Sequence, residues 1–250
     1  MSSPAHTYPD WKAPANDGEI LIWPDPATIE SETIENHRKL QATNAQLQNV
    51  SLQVLRRSAR HWIGHVDDDQ PLIASGHQTE LYHPGVWAKD VLANHLAAKL
   101  NGQAYHFAVD SDSPKHLHLR WPGGSEPLTD DPNLTRAEWT GLLDAPTPAH
   151  LRHLETVAPN SASLKDFLAS LRRLALETPK LSAAITNATH ALDWELGLRH
   201  HAMLTSPIWM SEAYLLYVHH LSANAARFAH VYNDALRQYR TTHKVRATTG

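Results

Sequence analysis

Two polar clusters hold the side chains best suited to chemistry. The first is Ser75, Gly76, His77 and Gln78, followed by His83, Gly85 and Lys89; the second is Asp110, Ser111 and Asp112. An imidazole such as His77 or His83 can carry a proton near neutral pH or donate to a phosphate. Gly76 lets backbone approach a ligand closely, and Lys89 offers a point charge. Asp110 could orient a hydroxyl or an amine, or bind a metal ion. Asp110 and Asp112 are equally suited to local Asx turns before Pro114. His77 and Asp110 are therefore the expected catalytic residues. Ser75, Gly76, Gln78, His83, Gly85, Lys89 and Asp112 are the expected ligand-binding residues, and no metal ligand is assigned.

The surrounding pattern says how these clusters would be positioned. Residues 71–74 form a short apolar run, as a strand buried on both faces does. Pro84 then opens a helical pattern through Val86, Val91, Leu92, Leu96 and Leu100, with Gly102 at its end. Residues 104–109 read as a second buried strand. Strand, helix, strand is a parallel crossover unit, right-handed almost without exception. Ligands of open parallel sheets bind outside the carboxyl ends of the strands, which is where both clusters fall. The start of the helix near Pro84 would turn unpaired N–H groups toward that edge.

Residues 1–18 read as an irregular arm, 19–148 as a Rossmann-like α/β core and 149–250 as a mostly helical region. Within these, 19–23 is a strand candidate and 29–63 carries helical spacing. Residues 67–69 read as a solvated acidic turn. Residues 116–121 alternate as a half-exposed strand does, with His116 and His118 on one face, and 122–148 reads as a surface loop. Helical spacing recurs over 149–157, 161–178, 181–204 and 211–240. Neighbouring histidines at 200–201 and 219–220 diverge by about 100° on a helix. The aromatic series Tyr214, Tyr217, Phe228, Tyr232 and Tyr239 suits core or interhelix packing. With few clear strands, the chain reads as the N-terminal part of a longer protein, or as one that a partner completes.

Composition narrows the function classes. The chain has 250 residues, 42% hydrophobic and 19% charged, ordinary for a folded domain. Its net charge of −4 gives no basic excess to draw nucleic acid. Cysteine is absent, which removes disulfides, thiolate nucleophiles and Cys-based zinc sites. The 19 histidines make its charge strongly pH-dependent near about 6.5. The first residues do not read as a secretory signal, and no apolar run approaches the roughly 20 residues of a bilayer span. A cytoplasmic protein with a small-molecule substrate is expected, with no nucleic-acid or membrane partner; homo-oligomerisation is open.

The stretch from Ile73 to about Leu119 resembles the bacillithiol synthases, the cysteine-adding ligases of bacillithiol formation. Ser75, Gly76, His77 and Gln78 stand for that family's Thr-Gly-Gln-Gln motif. Glu80, Leu81 and Tyr82 match its next step, Pro84 and Gly85 its loop, and Lys89 its helix lysine. Asp110, Ser111 and Asp112 take the place of its acidic cluster. The match covers about one-fifth of the chain. Here His77 replaces a glutamine, Ala88 stands before the helix lysine in place of tyrosine, and the acidic cluster lacks the family's histidine. The resemblance implies a Rossmann-like core related to nucleotidyltransferases, with a pocket for a nucleotide or phosphate-bearing molecule and ligase or transferase chemistry.

In that reading a nucleotide is the possible cofactor and a divalent metal the alternative. The alternative functions are a metal-dependent hydrolase built on His77, His83, Asp110, Asp112 and His116, and a non-enzymatic interaction module working through the helices of 149–240.

Overall fold

The computed structural model describes residues 14–65, 69–81, 84–114 and 116–243. Of the residues singled out above, His83 and Tyr82, with Asp67 and Asp68, lie outside that set. The chain divides into two units, Met1–Ala42 and Thr43–Gly250. The first holds helix α1 (Pro26–Ala42), none of whose residues is buried. Asp25 caps it by accepting from the backbone N–H groups of Ala27 at 3.0 Å and Thr28 at 3.1 Å. The strand expected at 19–23 does not form. Ile20, Leu21 and Trp23 are exposed, so the run buries no face, and prolines follow it directly.

The helical spacing of 29–63 is interrupted by a hairpin of β1 (Gln46–Leu47) and β2 (Val50–Ser51). Gln48 and Asn49 both take positive φ at its tip, the twist such two-residue turns demand. Helix α2 (Leu52–Trp62) follows, with the Ser51 hydroxyl accepting from the Val54 N–H.

Strand β3 (Leu72–Gln78), helix α3 (Pro84–Lys99) and strand β4 (Gln103–Val109) form the expected parallel crossover unit. The ladder runs longer than the apolar run at 71–74. Ser75 pairs with His106, Gly76 with Phe107, His77 with Ala108 and Gln78 with Val109. The first polar cluster is therefore the second half of a strand and not a loop. A side chain at Gly76 would meet the Phe107 carbonyl oxygen at 2.6 Å. The backbone that Gly76 admits is that of the neighbouring strand.

Beyond β4 the chain leaves the sheet. Strands β5 (His118–Trp121) and β6 (Gly124–Pro127) pair antiparallel. Helices α4 (Pro148–Val157), α5 (Ala162–Glu177) and α6 (Leu181–Glu195) come next. They and the hairpin share the main apolar core, which includes Leu119, Leu128, Leu143, Leu154, Phe167 and Leu171. Residues 122–148 are thus not a surface loop: Leu128 and Leu143 are fully buried, and Thr129 and Thr140 nearly so.

The helical reading of 181–204 also needs correction. Gly197, at φ +90°, ends α6. Its N–H bonds the Trp194 carbonyl and the Leu198 N–H bonds the Asp193 carbonyl, a Schellman stop. The chain then enters β7 (His201–Leu204), which pairs parallel with β4, giving the order β3-β4-β7. The structure is mixed α/β with a three-stranded parallel sheet. Helices α7 (Glu212–Ala223) and α8 (Ala225–His243) follow, separated at Asn224. Neither buries a residue, and Tyr217, Phe228, Tyr232 and Tyr239 are exposed instead of packed in a core. No helix among the described residues is long and apolar enough to cross a membrane.

Candidate functional site

The parallel register puts Ser75, His77, His106 and Ala108 on one face of the sheet, because opposite residues of parallel strands point the same way. Helix α3 covers that face. Its buried residues Val86, Asp90, Ala93 and Ala97 recur at helical spacing, so Asp90 is a carboxylate set in an apolar stripe. A charge buried there needs partners. The Ser75 hydroxyl donates to Asp90 Oδ1, and His106 Nδ1 lies 2.8 Å from the same oxygen. Burial opposes ionisation of Asp90, but the bonds from His106 and Ser75 and the nearby imidazoles outweigh it and hold its carboxyl below the usual range. Ser75 is thus spent on α3–sheet packing at mid-strand, away from the carboxyl edge.

His77 sits farther along the same face. Its Nδ1 is 3.2 Å from Glu80 Oε1, and its side chain keeps 22% exposure. Gln78 Nε2 donates to Asp112 Oδ2 at 3.1 Å, joining the end of β3 to the segment after β4. Thr79, buried, continues the junction through its N–H and hydroxyl, both 3.2 Å from the Val109 carbonyl. The two polar clusters therefore do converge at one edge of the sheet.

Within that convergence Asp110 is fully occupied. It is 3% exposed. Its Oδ1 accepts from the Thr205 hydroxyl at 3.0 Å and the Ser206 N–H at 2.9 Å, and its Oδ2 accepts from the Ser206 hydroxyl. Asp110 thus clamps the turn that follows β7, before a short 3₁₀ helix, Ser206–Met210. Its backbone carbonyl also accepts from the Gly141 N–H at 2.8 Å. Asp112 is anchored similarly: its carbonyl accepts from Thr140, and its carboxylate from Ser113 as well as Gln78. Lys89 Nζ is 3.3 Å from the Gly76 carbonyl, on the exposed side of α3. Gly85 is exposed in the first turn of α3. His116 is exposed and precedes β5, so only His118 of that pair lies on the strand.

A second buried polar group, which the sequence pattern does not bring together, joins α3 to the end of α6. Asp193, in the last turn of α6, accepts from Trp87 Nε1 at 2.8 Å and lies 3.4 Å from His200 Nε2. The His200 ring is 6.1 Å from that of His106 and 5.3 Å from that of His190. His190 Nε2 bonds the His200 carbonyl at 2.8 Å. Burial pushes the Asp193 carboxyl up, and the charge of Asp90 adds to this, although the Trp87 bond works against it. Burial drives His200 down to about 4, the cationic forms of His190 and His106 adding to that and the Asp90 charge opposing it. His200 is 3% exposed, and its Nδ1 has no hydrogen-bond partner among the described residues. The sequence signal for this group was the pairing of Asp193 with His200 across the Gly197 stop, which a continuous helix through 181–204 hides.

No three or more His, Asp and Glu side chains converge in a metal-holding arrangement among the described residues. No protein-family model and no curated protein matches this chain.

Proposed function

We propose that this chain is an enzyme with a Rossmann-like core, bacillithiol-synthase-like and related to nucleotidyltransferases. It binds a nucleotide or another phosphate-bearing small molecule at the carboxyl edge of β3 and β4. The observation that carries this reading is the His77–Glu80 pair at that edge. The Glu80 carboxylate beside Nδ1 is an ionic neighbour that favours one orientation of the ring. His77 then meets the ligand, donating to developing charge or moving a proton. The start of α3 is a helix N-terminus, whose partial positive charge suits phosphate. Gly85 is exposed in that first turn, and Lys89 adds a positive charge on the exposed side of α3. Asp110 has a positioning role, fixing the turn after β7, in place of the reacting role its residue type suggests. A cytoplasmic setting, where nucleotides are abundant, accompanies this reading.

A thermal-shift screen with ATP, pyrophosphate and cysteine tests the proposal, since a ligand of the native state raises the melting temperature by mass action. ATP or pyrophosphate should stabilise the protein, and His77→Ala should abolish that shift while keeping the unliganded melting temperature within a few degrees. Absence of any shift, or an equal shift in the variant, would overturn it.

A further inference from the structure

A cleft of about 220 Å³ opens between the start of α3 and the second half of α6, lined by Leu81, Pro84, Trp87, Thr189, Leu192, Asp193 and Leu196. Its walls are mostly aliphatic carbons and an indole; the Thr189 hydroxyl is turned to the α6 backbone, and the one charged lining residue is Asp193. That carboxylate is 5% exposed. One of its oxygens is held by Trp87 and the other faces His200 at 3.4 Å. Asp90 stands behind, bonded to Ser75 and His106.

The cleft thus combines a shape and a charge. Two carboxylates, Asp90 of α3 and Asp193 of α6, are buried here, and the histidine nearest Asp193 is itself too deeply buried to charge readily. A cation reaching Asp193 from the cleft would complete the arrangement, and the indole of Trp87 would lie alongside it. The apolar walls suit a hydrocarbon body attached to that cation. The volume falls below that of drug-sized pockets, which suits a ligand on the order of ten non-hydrogen atoms. We propose that this cleft binds a small primary amine, aryl or alkyl, with its ammonium on Asp193 and its apolar body against Trp87, Leu192 and Leu196. The site uses neither His77 nor Glu80, and it stands or falls apart from the nucleotide reading.

Isothermal titration of the full chain with 2-phenylethylamine, and with 2-phenylethanol as its neutral counterpart, in amine-free buffer tests this. The amine should bind at least tenfold tighter than the alcohol. Asp193→Asn should remove that preference, but it also alters a buried group. Leu196→Arg therefore serves as the second variant: Leu196 is 68% exposed, so the fold tolerates the change while a positive charge enters the cleft mouth. It should weaken the amine at least tenfold. Equal binding of amine and alcohol, no binding of either, or an unchanged amine affinity in Leu196→Arg would each overturn the proposal.

Discussion

Gln78 and Asp112 are 34 positions apart in the chain, yet Gln78 Nε2 donates to Asp112 Oδ2 at 3.1 Å. The bond closes the carboxyl edge of β3 onto the segment leaving β4. It is the direct contact between the two clusters that the sequence marks as chemically able. Removing it with Gln78→Ala should cost about 1.5 kcal/mol, the lower end of the range for one hydrogen bond to a charged group. A double-mutant cycle with Asp112→Ala, measured by urea denaturation, should return a coupling of similar size. Strict additivity would mean that the bond contributes nothing.

Gly76 should resist substitution for a reason internal to the sheet. A methyl there meets the Phe107 carbonyl at 2.6 Å, and neither strand can move without disturbing the ladder. Gly76→Ala should destabilise by about 2 kcal/mol, the range of overpacking in a close-packed interior. The denaturation midpoint of the variant reads this directly.

Asp110→Ala should behave as a structural lesion. It leaves the donors of Thr205 and Ser206 without their acceptor in a buried turn. A loss of about 3 kcal/mol follows from stranding such groups. Asp110→Asn keeps one carbonyl oxygen and should recover part of it. Wild-type stability in Asp110→Ala would return this residue to the list of reacting groups.

The buried imidazole of His200 gives stability a pH dependence. Its folded-state pKa, about 4, lies below its ordinary value of 6.5. The unfolded chain therefore binds more protons between those values, and stability falls as pH drops from about 6.5 toward 4. His201, also lowered by burial, acts in the same direction. Asp193, raised by burial, acts oppositely, adding stability as pH falls toward the ordinary carboxylate value of 3.8. Urea midpoints between pH 7 and pH 4.5 should decline, and His200→Gln should flatten the decline. A parallel decline in the variant would assign it elsewhere.

The crossover unit was legible because its signals are local. An apolar run, a proline at a helix start and a glycine past its end mark β3, α3 and β4 within about 40 residues. The extension of β3 through Gln78 was not legible, since polar Ser75 and His77 enter a strand only where Asp90 of α3 and Glu80 meet them. Strand β7 is short, and its residues continue a helical rhythm that only the positive-φ Gly197 breaks. The burial of Leu128 and Leu143 within a proline- and aspartate-rich stretch depends on α4 to α6. At the site, the meeting of the two clusters follows from strand adjacency, whereas the role of Asp110 was hidden. Its partners, Thr205 and Ser206, lie nearly a hundred residues later. The same separation conceals Trp87 from Asp193.

Nitrogen-labelled histidine spectra, with His77 assigned by its absence in His77→Gln, address the carboxyl-edge site most directly. On titration with ATP, and separately with pyrophosphate, the ring signals of His77 should move saturably with at least one of them, while those of exposed His116 stay still. A ligand that binds and leaves His77 unmoved, or spectra that neither compound changes, would contradict a phosphate-recognising role for this edge.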